Sequence, residues 1–527
     1  MSRFSLVSRF SKLLAPALLL AAAGAAQAST YYVGSLGADA YGGSSPSYPF
    51  LTIQHAIDTA SSGDTIFVLA DTYTGTGNKD LDFGGKNLTL EALPYYGTAT
   101  QVTLNLQGSG RGFYFHNGET NAAVVDSFNV INGNPGTGNY GGGAYITGSS
   151  SPTFIDTTFA SNKASKGGAV YIYSSSPTFT GVTFNMNSAL SDGGAISQVG
   201  SSSPIYTHSK FTTNKAGVYG GAVYAYSNDG TFYNDTFTGN TAPYGGAFYN
   251  YYYAYPTFYG GTFSKNTADY GGAFYSYYSI PSFYNTLITG NKVTSSGGAF
   301  YNYNSYPNFY NVTITGNIAT SFGGAFYNDY NSSPHIEGSI LWGNKVGVAE
   351  SEIYDTDSTS SPYVYDTDIY GGWSGSGSYN LNTDPAFVST TDFHLKSISP
   401  LIDQGGNYGY TLDDHDGNPR VCNFYTDLGA YERALPTAVN DTYSMSANTT
   451  LTVTKAAGVL ANDLANKGGT LSAVLVTKPV YGILTLKSDG SFTYKAATGF
   501  TGTLSFTYKA KNSKGSSSLA YVYITIS

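Results

Sequence analysis

The sequence predicts an all-β fold, a parallel β-helix solenoid followed by a small β-sandwich, and three observations predict it. A unit of about 26 residues occurs eight times in succession, and a fixed period of this kind is typical of repeat architectures. Each unit opens with Gly-Gly-Ala, the alanines being Ala144, Ala169, Ala195, Ala222, Ala247, Ala273, Ala299 and Ala325. Each unit also carries an asparagine near its end, at Asn162, Asn187, Asn214, Asn240, Asn266, Asn291, Asn317 and Asn344.

Each unit has room for three short strands and no helix. In one copy the strand-like segments are 247–251, 257–259 and 261–263, which are rich in aromatic and β-branched residues. Gly, Pro, Asn and Ser separate the segments, as turns require. We therefore expect each unit to form one coil, with successive coils about 4.8 Å apart, the usual distance between neighbouring strands.

After each Gly-Gly-Ala the sequence alternates between two kinds of side chain. One set is mostly Val, Ile or Phe, such as Val223, Phe248 and Phe274, and the other is mostly tyrosine. Because successive residues of a strand point to opposite faces, we expect the first set in the core and the tyrosines outside. The reverse assignment is the alternative. The expected outer tyrosines include Tyr224, Tyr249, Tyr251, Tyr275, Tyr277, Tyr301, Tyr303 and Tyr327.

Different segments flank the repeats. Residues 1–28 are predicted to be a secretory signal peptide, with basic residues before the apolar stretch 13–23 and small residues at the cleavage site. The β-helix is expected over 29–433, with an N-terminal cap at 29–75 that contains a short helix, regular repeats at 140–345 and a closing segment at 346–433. Alternating strands separated by turns predict the β-sandwich at 436–527.

The composition excludes several classes of protein. The formal net charge of −9 argues against a nucleic-acid partner. The single cysteine, Cys422, excludes a disulfide framework and a multi-cysteine metal site. No segment after the leader is apolar enough for a transmembrane helix. We therefore expect a secreted protein that is extracellular, at the cell surface, associated with the outer membrane or periplasmic.

The repeats resemble known families. The marks Gly-Gly-Ala and Phe-x-x-Asn, as in 245–248 and 263–266, resemble the repeats of chlamydial-type polymorphic outer-membrane proteins. They also resemble those of secreted right-handed β-helix proteins of the pectate-lyase-like superfamily. The resemblance implies a right-handed, single-stranded β-helix, and the outer-membrane proteins are adhesins. The motifs at 382–387, 399–403 and 427–432 resemble the closing segment of bacterial "choice-of-anchor" β-helix proteins.

Residues 436–527 resemble a cadherin-like or Ig-like module of bacterial surface adhesins. The resemblance rests on the motifs at 438–441, 459–463 and 489–494. In that family an Asp-rich stretch after Ala-Asn-Asp binds calcium, whereas the corresponding residues 464–469 carry no carboxylate here. The resemblance therefore leaves Asp441 and Asp463 as candidate ligands of a weak calcium site, and no other cofactor is expected.

Acidic residues do not recur at the same position of successive repeats, as an array of catalytic carboxylates would. A hydrolase or lyase needs grouped acids and a base, whereas the acids of the repeats lie at different positions of the coil. The Asn column is interpreted as a ladder of hydrogen-bonded amides. The densest acidic cluster, interpreted as turns and ion pairs of the closing segment, contains Asp413, Asp414, Asp416 and Asp427 beside His415 and Arg420.

These observations predict a non-catalytic, exported adhesin-like or structural protein. Flat aromatic strips stack on sugar rings and contact protein surfaces, so a glycan or a surface protein is the expected partner of the tyrosines. Two alternatives stay open. One is a polysaccharide lyase or glycoside hydrolase of the pectate-lyase-like superfamily, and the other is a self-assembling matrix element that associates with copies of itself.

Overall fold

The computed structural model describes residues 28–97, 101–406, 409, 411, 413–420, 425–433, 435–465, 469–513 and 515–527. The predicted signal peptide lies outside these residues except for Ala28, and Cys422 also lies outside them. The described chain forms a stack of β coils followed by a two-sheet sandwich. The predicted fold class is confirmed.

Three long sheets of parallel strands form the walls of the solenoid. The GGA sheet follows the Gly-Gly-Ala triplets and has 11 strands: Leu81–Asp82, Phe113–Phe115, Ala144–Ile146, Val170–Tyr173, Ile196–Val199, Val223–Tyr226, Phe248–Tyr251, Phe274–Tyr277, Phe300–Tyr303, Phe326–Asp329 and Ile353–Asp355. The middle sheet comes next in each coil and has 13: Thr30–Val33, Thr65–Ala70, Thr89–Gly97, Val124–Asp126, Thr153–Ile155, Thr178–Thr180, Ile205–Thr207, Thr231–Tyr233, Thr257–Tyr259, Ser282–Tyr284, Asn308–Tyr310, His335–Glu337 and Tyr363–Tyr365.

The third wall ends at the repeated asparagine. This FxxN sheet has 12 strands: Thr72–Tyr73, Val102–Asn105, Phe128–Ile131, Thr158–Ala160, Thr183–Asn185, Lys210–Thr212, Thr236–Thr238, Thr262–Ser264, Leu287–Thr289, Thr313–Thr315, Ile340–Trp342 and Asp368–Ile369. Two short sheets follow the asparagines: Lys163–Lys166, Ser188–Asp192 and Lys215–Ala216 form one, and Thr267–Tyr270, Lys292–Ser296, Ile318–Ala319, Lys345–Val346 and Ala349–Glu350 form the other. The predicted short helix of the N-terminal cap is present at Ile53–Thr59.

Like side chains stack from coil to coil inside the solenoid. Val223 pairs with Phe248 and Phe248 with Phe274 in parallel register, and all three are fully buried. In the next column the rings of Phe283 and Phe309 are 4.9 Å apart and parallel within 2°. The predicted assignment of Val, Ile and Phe to the core is therefore confirmed, and the reverse assignment is wrong.

The repeated asparagines form a buried hydrogen-bonded ladder. The Asn240 side-chain oxygen accepts hydrogen bonds from the backbone N–H and the side-chain amide of Asn214, each at 3.0 Å. The side-chain amide of Asn240 in turn donates to the Asn266 side-chain oxygen and to the Phe211 carbonyl. The same pattern continues to Asn344, which donates to the Glu352 carboxylate. The structural interpretation of this column is confirmed.

The closing segment packs along the side of the solenoid. The coils end with Tyr363–Tyr365 and Asp368–Ile369, and a later cluster of Leu395, Leu401 and Leu428 covers Ile340 of the FxxN sheet. The acidic cluster lies within this segment and holds its turns. The buried Asp414 carboxylate accepts hydrogen bonds from the backbone N–H groups of Asp416, Asn418 and Glu432. This arrangement agrees with the structural interpretation of that cluster.

The C-terminal residues form a sandwich with a core of its own. One sheet orders Asp441–Met445, Ala520–Ile526, Gly502–Lys511 and Ser472–Thr477, and the other orders Thr450–Val453, Phe492–Lys495 and Ile483–Leu486. A 3-10 turn lies at Lys455–Ala457. The strand pairs are antiparallel except that Asp441–Met445 runs parallel to Ala520–Ile526.

Candidate functional site

Two columns of tyrosine run along the outer face of the GGA sheet. The inner Tyr column is Tyr224, Tyr249, Tyr275, Tyr301 and Tyr327, which pair in register across five successive strands. The outer Tyr column lies two residues further along each strand and is Tyr226, Tyr251, Tyr277 and Tyr303. All eight tyrosines singled out from the sequence lie on this face.

A third row of tyrosines covers the inner column. These residues, Tyr219, Tyr244 and Tyr270, precede the Gly-Gly-Ala triplets, and we call them the flanking Tyr row. The Tyr219 ring lies 4.5 Å from the Tyr249 ring, and Tyr270 meets Tyr301 edge to face at 5.6 Å. Tyr249 is consequently only 5% exposed. Tyr249 is therefore packed into the wall, whereas the other four tyrosines of the inner column stay partly exposed.

Burial also controls the ionisation of the inner column. Desolvation, followed by the influence of neighbouring tyrosines and acids, raises the pKa of Tyr224, Tyr249, Tyr275 and Tyr301 above the ordinary value of 10.0. These phenols are neutral at every pH at which proteins usually work. They can donate and accept hydrogen bonds but carry no charge.

The rings of each column stack against one another. Tyr275 and Tyr301 have centroids 4.6 Å apart and planes within 6°, and Tyr277 and Tyr303 are 4.9 Å apart and within 12°. Parallel rings this close must lie face to face with an offset, because rings side by side in one plane would overlap. In these pairs each ring covers a face of its neighbour, whereas Tyr226 and Tyr251 are tilted by 33°. Stacking of this kind leaves the ring edges, more than the ring faces, open to a partner.

The outer Tyr column is the more accessible part of this surface. Tyr226 is 37% exposed, and Tyr251, Tyr277 and Tyr303 are partly exposed. Tyrosines of the following turns extend the row, since Tyr252 stacks on Tyr278 at 5.3 Å and Tyr330 on Tyr303 at 5.3 Å. We call the outer column together with these turn residues the tyrosine comb.

A second ladder of tyrosines lies on the middle sheet and was missed in the sequence. It consists of Tyr233, Tyr259, Tyr284 and Tyr310, whose rings stack at 5.0 to 5.2 Å. Each follows a fully buried Phe of the core, so each must point outward. The signal was available in the Phe-Tyr pairs that recur once per unit.

A polar cluster lies nearer the N-terminus of the GGA sheet, several coils before the inner column begins but at the same register position, and was also missed. Asp82 pairs in register with Tyr114, and its carboxylate is 3.0 Å from His116 Nε2. The His116 ring stacks on Tyr114 at 4.1 Å, and the Arg111 guanidinium lies over the rings of Tyr114 and Tyr145 at 5.3 and 5.2 Å. The first coils depart from the 26-residue period, so the sequence alone offered no sign that these residues meet.

The two predicted calcium ligands lie close together in the sandwich. The Tyr508 hydroxyl donates to the Asp463 carboxylate at 2.9 Å, and the repulsion from Asp463 adds to desolvation in raising the pKa of Asp441 to about 7. One buried carboxylate oxygen of Asp441, Oδ2, has no hydrogen-bond partner. Such an oxygen fits a hard cation such as calcium. Among the described residues no group of three or more His, Cys, Asp or Glu could hold a metal ion.

Comparisons with family models match three parts of the chain. Residues 99–263 match the right-handed β-helix region, residues 311–329 match the Chlamydia polymorphic membrane protein repeat, and residues 433–527 match the bacterial cadherin-like domain. No curated protein matches the chain. In the part of the chain that the structure describes, no helix is long and apolar enough to span a bilayer.

Similar solved structures include the following three. The pectate lyase Pel9A is 15% identical, with 78% of this chain and 97% of that chain covered and a TM-score of 0.39. The complex of XylC with xylose is 10% identical, with coverages of 68% and 86% and a TM-score of 0.37. A rhamnogalacturonan lyase is 14% identical, with coverages of 68% and 91% and a TM-score of 0.30.

Proposed function

We propose that this protein is a non-catalytic surface or extracellular protein that binds a hydroxyl-rich partner, a glycan or a protein surface, through the tyrosine comb. The observation that carries the proposal is the register of the outer Tyr column. Tyr226, Tyr251, Tyr277 and Tyr303 occupy the same position in four successive coils. Their ring edges and hydroxyls form a regular row on an exposed wall.

The physical basis is preorganisation. The rings of the comb are held by contact with their neighbours, for example by stacking at 5.5 Å between Tyr251 and Tyr277. A partner therefore meets hydroxyls that are already ordered, and binding loses little side-chain entropy. Phenol groups hydrogen-bond to sugar hydroxyls and to backbone groups alike, so the comb suits an extended partner along the solenoid axis.

Export to the cell surface or the extracellular space forms part of this proposal. The matches to the right-handed β-helix region and to the polymorphic membrane protein repeat support it. The predicted signal peptide at residues 1–28 supports it independently. A spacer or second adhesion role of the cadherin-like domain at 433–527 is consistent with such a location.

The test removes hydroxyls without removing rings. We expect the triple variant Tyr251→Phe, Tyr277→Phe and Tyr303→Phe to bind its ligand at least tenfold more weakly, since about three hydrogen bonds of roughly 0.5–1.5 kcal/mol each are lost. The wild-type 29–527 chain is first probed on a glycan and polysaccharide array, and the affinity of the best ligand is then measured by biolayer interferometry.

The matched control is the triple variant Tyr233→Phe, Tyr259→Phe and Tyr284→Phe on the middle sheet, which should keep its affinity. Equal loss in both variants, or no loss in either, would refute the tyrosine comb as the binding surface. If no array ligand is retained while sedimentation of the wild type increases with concentration and the comb variant abolishes that increase, the comb serves self-assembly instead.

Polysaccharide cleavage is the second candidate function, and the pair of Asp82 and His116 beside Arg111 favours it. A His held by a carboxylate is a suitable general base, and a guanidinium binds acidic groups of a sugar. The test measures whether the protein releases reducing or unsaturated ends from the same array polysaccharides. Release by the wild type that is lost in Asp82→Asn would assign this function. Retention without product supports the binding protein.

A further inference from the structure

Two neighbouring cavities lie at the corner where the FxxN sheet meets the first short sheet. One has a volume of about 400 Å³ and the other of about 380 Å³. Asn134 and Lys163 line both of them, and we call the two adjoining cavities together the corner cleft. The cleft lies outside the tyrosine comb and involves none of its residues.

A loop specific to one coil helps to build the cleft. Residues 134–139 connect the FxxN sheet to the first regular repeat, and Asn134, Gly136 and Thr137 line the cleft. The loop is held in place by hydrogen bonds. The Gly136 N–H donates to the Asn134 side chain at 3.2 Å, and the Gly138 N–H donates to Ser165 of the next coil at 2.7 Å. The concavity is therefore a formed feature of the fold.

The charge of the cleft is opposite to that of the chain. Lys163 and Lys215 line it, both are exposed, and none of its lining residues is acidic. The chain as a whole carries a formal net charge of −9. By contrast, Lys166 of the same short sheet is paired with Asp192 at 2.7 Å. An anion in the cleft therefore gains attraction from Lys163 and Lys215 with no acidic lining residue to oppose it.

The spacing of the two lysines indicates a ligand with repeated charges. Lys163 pairs with Ser188 and Ser188 pairs with Lys215, which places the two lysine backbones about 9.6 Å apart, or two coil spacings. A polymer with a charge on successive units can contact both ammonium groups at once. A single small anion gains less from a pair of lysines at this separation.

The remaining lining suits sugar hydroxyls. Asn105, Gln107 and Asn132 contribute amides to the first cavity, where the Asn132 amide already donates to Asn105 at 3.2 Å. Amides both donate and accept, as sugar hydroxyls require. At the other end Leu190, which is 66% exposed, offers an apolar contact for the CH face of a sugar ring.

We propose that the corner cleft binds a segment of an anionic glycan, with charged groups of the glycan on Lys163 and Lys215 and its hydroxyls on the amides. The proposal does not depend on the tyrosine comb. It predicts a second binding activity of the solenoid that is sensitive to salt, because the contacts with the lysines are ionic.

The test uses dextran sulfate and neutral dextran of the same length as probes, at an ionic strength of about 0.15 M, where exposed charges are screened beyond about 8 Å. We expect the wild-type 29–527 chain to bind dextran sulfate and not neutral dextran. The double variant Lys163→Gln and Lys215→Gln should lose at least tenfold in affinity.

The control variant, Lys210→Gln and Lys292→Gln, changes the net charge equally at exposed lysines that do not line the cleft. It should lose less than twofold. A similar loss in both variants, or equal binding of the neutral dextran, would overturn the proposal. Competition by inorganic sulfate at the same total charge as the polymer would also overturn it, since the cleft would then be a site for a free anion.

Discussion

Glu352 ends the asparagine ladder, and its carboxyl group is placed where a charge is unfavourable. Its two oxygens accept hydrogen bonds from the backbone N–H and the side-chain amide of Asn344 at 3.3 and 2.6 Å. These bonds favour the charged form, but desolvation outweighs them and raises the pKa of Glu352 to about 8. The folded protein therefore holds a proton that the unfolded chain releases near pH 4.5.

This shift predicts that stability falls as the pH rises. The contribution of Glu352 is complete below pH 4.5 and is lost as the pH rises through about 8, at roughly 1.4 kcal/mol per unit of pKa shift. The variant Glu352→Gln keeps one oxygen that can accept both bonds, as the ladder asparagines do. We expect its melting temperature to exceed that of the wild type at pH 9 and to equal it at pH 5, as measured by calorimetry.

An equal difference between wild type and Glu352→Gln at both pH values would contradict this explanation. The carboxyl group would then act through packing rather than through its protonation. The variant Glu350→Gln, at an exposed neighbour of Glu352, is the control for a general charge effect. It should change the pH dependence only slightly, because repulsion from Glu350 is a smaller cause of the shift than desolvation.

At the scale of the element, the ladder lets every coil make the same sharp turn. Without Asn240, the buried Asn214 backbone N–H would lose its hydrogen-bond acceptor and the Phe211 carbonyl would lose its amide donor. Asn240→Ala should therefore destabilise the solenoid by several kcal/mol, at about 1–3 kcal/mol for each buried group left without a partner. Urea denaturation followed by circular dichroism measures the loss.

An asparagine outside the ladder provides the control. Asn121→Ala changes an exposed asparagine outside the ladder and should cost less than about 0.5 kcal/mol. A small effect of Asn240→Ala, comparable to that of Asn121→Ala, would mean that water or a shifted neighbour replaces the lost amide. The ladder would then be dispensable to the stability of the coils.

The sequence predicts a structural feature well when that feature recurs in every repeat, and poorly when it depends on contacts particular to a few coils. The strands, the Phe columns and the ladder repeat with the unit, so the period and the alternation within a strand were sufficient to predict them. The cover over Tyr249 depends on Tyr219, which lies in the preceding turn and packs one coil away. The pair of Asp82 and His116 joins coils that do not follow the period. Such contacts depend on ring orientation and coil length, which the pattern does not contain.

At the scale of the whole molecule, the described residues contain two main cores. The solenoid core runs from Val33 to Ile369, whereas the sandwich core consists of residues between Met445 and Ile526. Because the two clusters are separate, we expect two unfolding transitions in calorimetry rather than one. A ligand of either unit should then shift its own transition and leave the other nearly unchanged.

Calcium can test whether a ligand of the sandwich shifts the unfolding transition of the sandwich alone. If Asp441 and Asp463 bind calcium with a dissociation constant of about 1 mM, about 10 mM calcium stabilises the sandwich by roughly 1.4 kcal/mol. That amount raises the melting temperature of a small domain by several degrees, about 4–8 °C per kcal/mol. Magnesium should be less effective, because it gives up its water less readily and needs a stricter ligand geometry.

The variant Asp441→Asn should abolish the calcium shift, since it removes a carboxylate whose buried oxygen has no hydrogen-bond partner. Asp489→Asn, at an exposed turn of the same sandwich, should retain it. A calcium shift that persists in Asp441→Asn would place the ion elsewhere in the chain. If calcium shifts neither transition in the wild type, the pair of carboxylates is a structural feature of the sandwich, and the absence of further acids at 464–469 has removed the binding that the family resemblance implies.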